Sequence, residues 1–318
     1  MKLIDIYNLA VRKGVEKDPR TKAEIRKELA KVRKEFRKSK GVDKRAFDRE
    51  RLKNPYADTR ILYGDPKRDI KTLMVGIDME APEILAADML NERGLESIDL
   101  VMAHHPEGVA WSRFYDVMHI QVAMLKKLGI SEEVAEHLLK ERMGEVQRAV
   151  APANHFRSVD IARLLDIPFM CVHTPADNHV TSYLQKLFDR KKPRKLSHVL
   201  AALKNIPEYE DGLSKNAGPR ILIGDPDKDA GRVFVDMTGG TEGPKKIFSR
   251  LSQAGIGTVV NMHLSEDHFK NAKDEHINVV IAGHIASDTL GLNLLLDEIE
   301  NRQKVRIVPC SGFVRIRR

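Results

Sequence analysis

Only two of the 318 residues are cysteine, Cys171 and Cys310, far apart and with no C-x-x-C at either. That excludes a disulfide framework and a thiolate zinc site. No stretch of about 18 consecutive apolar residues occurs, so no segment reads as a membrane span. The first residues, MKLIDIYNLAVRKGVEKD, carry charges where a signal peptide needs an apolar run, and a cytoplasmic chain without a membrane partner is the expectation. The pattern G-x-x-x-x-G-K-S/T is missing, which excludes a P-loop. Histidine is absent from the first 103 residues, although the chain holds 12. A hydrophobic share of 42% with 31% charged residues excludes wholesale disorder.

The charge is distributed unevenly. Residues 1–50 hold 17 Lys/Arg against 9 Asp/Glu, which is the whole formal net charge of +8, and residues 51–318 hold 37 of each sign. A uniformly basic nucleic-acid coat is excluded, and a basic arm that attracts phosphates stays open. In TKAEIRKELAKVRKEFRK the apolar residues Ile25, Leu29, Val32 and Phe36 recur at steps of four, three and four, one face of an amphipathic helix. Phe36 is the only aromatic residue among those charges, so a helix packed on the body or on another subunit ranks above nucleic-acid binding.

From Leu52 onward, short apolar runs alternate with helical periodicity. Thr72–Met79, Ile98–Ala103 and Pro168–Val172 read as strands, as do Arg220–Ile223, Val233–Asp236, Thr258–Met262, Val279–Ala282 and Lys304–Val308, with helices between most of them. This order predicts an α/β fold with a largely parallel sheet. RILYGDPKRDI at Arg60 and RILIGDPDKDA at Arg220 share R-I-L-x-G-D-P-x-x-D at a separation of 160 residues. At nearly the same separation, Asp78-Met79 answers Asp236-Met237 and His104-x-x-Glu107 answers His263-x-x-Glu266. The repeat predicts two similar α/β modules with pseudo-symmetry and a site between them. We expect a basic helical segment at 1–50, a first module at 51–198 and a second at 199–318.

Three predicted strands end in histidine: LVMAHHPEG with His104 and His105, FMCVHTPAD with His173 and Asp177, and VVIAGHIASD with His284 and Asp288. Functional groups gather beyond the carboxyl ends of strands in open α/β sheets, so these can converge. His173 and Asp177, like His284 and Asp288, are spaced i and i+4, which puts each pair on one face of a helical turn. Imidazoles and carboxylates without thiolate suit Zn, Mn, Fe, Co or Ni. Adjacent His104 and His105 point apart on an extended backbone and could serve two ions bridged by Asp177 or Asp288.

The strings IDLVMAHHPEG, VHTPADN and AGHIASD, in this order, resemble the three signature blocks of the NIF-three-like family, often labelled GTP cyclohydrolase 1 type 2 homologues. RILYGDP and the turn MTGGTEG resemble its lesser motifs, and the resemblance spans roughly residues 52–318. It implies two similar α/β halves, a centre of two divalent metal ions between them, and a ring-like homo-hexamer. Position by position, it makes His104 and His105 the paired ligands, Asp177 the bridging acid, His284 the C-terminal histidine and Asp288 the terminal acid, with His173 as a ligand or its support. Asp288 departs from the pattern, which usually has Glu, and the connection Trp111–Arg157 is longer than usual. The implied activity is a metal-dependent hydrolase acting on a purine nucleotide or related small molecule. The alternative is a metal-binding regulatory protein that uses the basic helices for a protein or nucleic-acid partner.

MHLSEDH supplies His263, Glu266 and His268, and Glu266 or His268 is expected as general base, with Glu107 as a further candidate. Gly239, Gly240 and Gly243 fit either a phosphate cradle or a tight strand-to-helix turn.

Overall fold

The computed structural model describes residues 1–318. Its strands are β1 (Thr59–Tyr63), β2 (Thr72–Gly76), β3 (Leu100–Ala103), β4 (Phe169–Val172), β5 (Arg220–Ile223), β6 (Arg232–Asp236), β7 (Ile256–Asn261), β8 (Asn278–Ile281) and β9 (Arg306–Pro309). They form two sheets, ordered β1-β4-β3-β2-β9 and β5-β8-β7-β6. In each sheet the first strand runs antiparallel to its neighbour and the rest are parallel. The runs TLMVG, LVMA, FMCV and NVVI are buried along their whole length, as parallel strands covered on both faces must be.

The repeat seen in the sequence is a repeat of structure. An irregularity in pairing between Ile61 and Tyr63 recurs between Ile221 and Ile223. Lys2 bridges Asp69 and Lys195 bridges Asp229, and each bridge opens a helix, Leu3–Lys17 and Leu196–Lys204. The Leu3 amide donates to Arg68 as the Leu196 amide does to Lys228. Helix Leu3–Lys17 is thus the first module's own element, and Leu3, Ile6, Leu9 and Ala10 lie in that module's core. The basic helix Lys22–Lys38 is different: a Thr21/Glu24 capping box starts it, and only Ile25 is buried.

Side chains alternate between the two faces of each sheet. Met170 and Val172 of β4 enter one core while Phe169 and Cys171 enter another. The helix after β4, Thr174–Lys191, places Val180, Leu184 and Phe188 in the core of the second sheet. The helix after β8, His284–Glu300, places Leu292, Leu295, Leu296 and Ile299 in the core of the first. Each module therefore lends the other a helix, which also packs on its own sheet, through Ala176 in the first case and through Ala286 and Leu290 in the second. Where these helices cross, a Cβ on Gly291 would stand 2.5 Å from the Ala176 carbonyl oxygen, so only glycine allows the approach.

The outer edges differ. β9 covers β2, whereas the equivalent edge of β6 is closed by Gln185, whose amide donates to Val233 O at 3.1 Å and accepts from Val235 N at 3.0 Å. The connection between β3 and β4 folds as helices Gly108–Ser112, Ile120–Lys127 and Glu132–Val150, followed by Arg157–Leu164.

Candidate metal centre

β3 delivers His104 and His105, β4 delivers His173 and, one turn into the next helix, Asp177, and β8 delivers His284 and Asp288. All six converge at the carboxyl ends of the strands, four from the first module and two from the second. Asp288 is central: its Oδ1 lies 3.4 Å from His104 Nε2, and its Oδ2 lies 3.6 Å from His105 Nε2 and 3.5 Å from His284 Nε2. Asp177 Oδ1 is 3.4 Å from His104 Nε2, and its Oδ2 is 3.7 Å from His173 Nε2. Three sets each bring their ligand atoms within 4.8 Å of one another: His104/His105/His173, His105/His284/Asp288 and His104/Asp177/Asp288.

Three imidazoles are held from behind. His104 Nδ1 meets Val172 O at 3.1 Å, His105 Nδ1 meets Asp78 Oδ1 at 2.6 Å, and His173 Nδ1 meets Asp58 Oδ2 at 2.8 Å. Each contact turns Nε2 inward, the arrangement that orients metal-binding histidines. Asp58 is fully buried and also accepts from Thr174 Oγ1 at 2.6 Å. Burial alone would raise its pKa, but His173 and Thr174 outweigh that and lower it.

Inside the cluster the polar atoms lack partners. His104 Nε2, Asp177 Oδ1 and both carboxylate oxygens of Asp288 are buried with no hydrogen bond. Such orphans are expensive unless something polar or charged sits among them. Burial acts to lower the pKa of His104 and of His105, yet the acids win: Asp288 and Asp177 lift His104 to about 10, and Asp288 and Asp78 lift His105 to about 9. Burial likewise opposes the Asp288 shift, and His104, His105 and His284 hold that carboxyl well below the usual range. The cluster draws in positive charge, and its donor set suits divalent cations.

A cavity of about 50 Å³ opens on the cluster, lined on its far side by Asp236, Thr238, Gly240, Thr241, Glu242, Asn261 and His263. The sequence repeat is shifted here: sheet register sets Asp236 opposite Asn261 as it sets Gly76 opposite Ala103. His263 is therefore the counterpart of His105, and Met262 stands where the first module has His104. Like its counterpart, His263 faces a carboxylate, with Nδ1 3.5 Å from Glu242 Oε1. Glu242 also accepts from Ser265 N at 2.6 Å; burial raises its pKa, but His263 and Ser265 bring it down to about 2.

The glycine turn has its reason in packing. Gln121 Nε2 donates to Gly239 O and Thr241 O, Arg142 Nε donates to Glu242 O, and any Cβ on Gly239 or Gly240 would meet Gln121 or Val117 within 3 Å. The long helical connection thus clamps the turn, and the phosphate cradle gives way to close approach. Phe114 of that connection also packs against His173, with ring centroids 5.5 Å apart.

Glu266 is not at the cluster: it is exposed and faces Lys270 at 3.6 Å. His268 is buried, but its nitrogens are engaged by Ser265 Oγ at 2.7 Å and Gly243 O at 2.9 Å. Glu107 does not line the cavity either, and burial pushes its carboxyl up to about 7. The general-base expectation therefore fails on position for Glu266 and on prior engagement for His268. Sequence reasoning missed Asp58, Asp236 and Glu242. Glu242 carried a signal, as the acid in the MTGGTEG turn beside the repeat.

Among solved structures, the chain is similar to an NIF3 superfamily protein from Sphaerobacter thermophilus, with a TM-score of 0.70 at 23% identity over 90% of this chain and 98% of that one. Weaker likenesses are to reduced HcgD from Methanocaldococcus jannaschii, at 0.47 and 15% over 88% and 96%, and to a Bacillus cereus protein related to NIF3, at 0.40 and 11% over 90% and 98%. No family model and no curated protein matches the sequence. The chain shares the fold of that NIF3 superfamily protein, in keeping with what the three motif blocks implied.

Proposed function

We propose that the chain is a metal-dependent hydrolase whose cluster holds two divalent transition-metal ions, Zn, Mn, Fe, Co or Ni. The observation that carries this is Asp288, a buried carboxylate whose two oxygens lack partners and face opposite ways, one to His104 and one to His105 and His284. Asp288 would bridge, His104 and Asp177 with His173 would complete one ion's ligands, and His105 with His284 the other's. Asp177, bridging in the family pattern, is on this reading a ligand to one ion. When bound, such ions lower the pKa of a coordinated water from 15.7 towards about 7.

The chain's own residues supply the rest. His263 lines the cavity beside His284, ring centroids 5.0 Å apart, with Glu242 on its Nδ1. Its Nε2 is then the atom that takes or returns a proton, the role first assigned to Glu266 or His268. The insertion wall of Phe114 and the clamped turn leave room for the reacting group of a substrate, and the remainder of a purine nucleotide or related small molecule would lie outside the cavity. A homo-hexamer and a cytoplasmic location complete the proposal, and no helix is long and apolar enough to cross a membrane.

The test is elemental analysis of the purified protein followed by a nucleotide hydrolysis screen with and without chelator. Two equivalents of transition metal and chelator-sensitive turnover are expected, with His105→Ala abolishing turnover while light scattering shows the assembly intact. Metal without turnover of any nucleotide would favour the regulatory alternative, for which the sparsely buried helix Lys22–Lys38 is the partner-facing element.

A further inference from the structure

A second cavity, far larger than the one at the metal cluster, lies away from it. It is an open cleft of about 870 Å³ between the end of helix Leu3–Lys17, helix Ile120–Lys127, the outer half of helix Thr174–Lys191 and strand β6. Its floor is apolar: Met124, Phe188, Phe234 and Val235 line it and are buried. Its rim is cationic. Lys17, Lys127, Lys186, Lys192, Arg194 and Arg232 surround it, and none of them is ion-paired.

Two of the four acids of the cleft are ion-paired with residues outside it. Glu16 pairs with Lys13 at 3.1 Å and Asp18 with Arg20 at 2.8 Å, which leaves Asp189, hydrogen-bonded at 2.9 Å to the neutral Gln185 amide, and Asp229 as the acids whose charge no cation offsets. Six free cations against two uncompensated acids stand out in a body whose charges balance overall. Thr181, which also lines the cleft, has a buried hydroxyl oxygen with no hydrogen-bond partner.

We propose that this cleft binds a phosphorylated organic anion of nucleotide size, its ring or chain on the apolar floor and its phosphates among the rim cations. Volume, apolar floor and convergent polar groups are those of a small-molecule site, and Lys and Arg together suit phosphate oxygens. The site is separate from the metal cavity, whose lining contains no Lys or Arg. Helix Thr174–Lys191 joins them, since it carries Asp177 at one end and Thr181, Gln185 and Lys186 at the other.

The experiment is titration calorimetry of the full chain with ATP, AMP, adenosine and inorganic phosphate, with the metal complement left in place and again after chelation. ATP is expected to bind with a Kd of about 10–100 μM in both forms, more tightly than AMP and far more tightly than adenosine, and to weaken as salt is raised. Lys186→Glu with Arg232→Glu should weaken ATP at least about tenfold, whereas Lys67→Glu with Lys204→Glu, an equal change of charge elsewhere, should not. Unchanged thermal melting of the first pair would show that its fold is intact. The proposal is overturned by no saturable ATP binding up to about 5 mM, by binding that both charge reversals weaken alike, or by binding that disappears with the metal. Because the chelated arm needs no metal, the hydrolase reading can fail while the cleft stands, and the reverse.

Discussion

Asp288 and the two raised imidazoles make the cluster's pH behaviour calculable in sign. His104 and His105 titrate at about 10 and about 9 in the metal-free chain, above the ordinary value, so the stabilisation they give is complete below about 6.5 and is lost as pH rises through 9 and 10. Metal must displace those protons, so its apparent affinity climbs with pH up to the same range, about tenfold per pH unit for each proton released. Thermal melting at pH 7 and pH 10 checks this: the chelated protein should lose stability between them and the loaded protein should not. Asp288→Asn removes the negative charge that both halves of the cluster share, and elemental analysis should find at most one metal per chain, with His105 returning towards an ordinary pKa by NMR titration. The histidines were legible because each ends a strand within a short motif. Asp58 was not, since it supports His173 across 115 positions of sequence and no local pattern announces such a contact.

The Gln185 amide is an element-scale device. It satisfies the exposed edge of β6 much as the backbone of β9 satisfies β2. Gln185→Leu strands one donor and one acceptor and should cost about 1–3 kcal/mol in urea unfolding, while Gln185→Glu keeps the acceptor for Val235 and should fall between. Equal stability of wild type and Gln185→Leu would show that the edge needs no cap. Eight of the nine strands were legible as short apolar runs, whereas β1 was read only as part of R-I-L-x-G-D-P, the motif that located the repeat. The kinship of helices Leu3–Lys17 and Leu196–Lys204 was hidden, because a helix docks through apolar spacing that many sequences satisfy. That is also why the net charge of +8 misled: the basic segment contains one core helix and one surface helix, and composition averages over both.

For the molecule as a whole, the exchanged helices decide what can fold alone. Each sheet is covered on one face by a helix that the other half of the chain supplies, and the cluster acids Asp177 and Asp288 sit near the starts of those two helices. A chain of residues 1–198 would lose Leu292, Leu295, Leu296 and Ile299 from its core, about 6–12 kcal/mol of apolar burial at about 1.5–3 kcal/mol each. That is comparable to the whole stability of an ordinary domain. Residues 199–318 alone would likewise lack Val180, Leu184 and Phe188. Produced separately, the halves should give poorly dispersed NMR spectra and retain no metal after dialysis. Produced together, they should form a stoichiometric complex that melts cooperatively and binds metal, because the cluster needs His104, His105, His173 and Asp177 from one half and His284 and Asp288 from the other. A half that folds by itself would show that its sheet can be covered without the exchange, and a half that binds metal tightly by itself would show that the cluster is not shared.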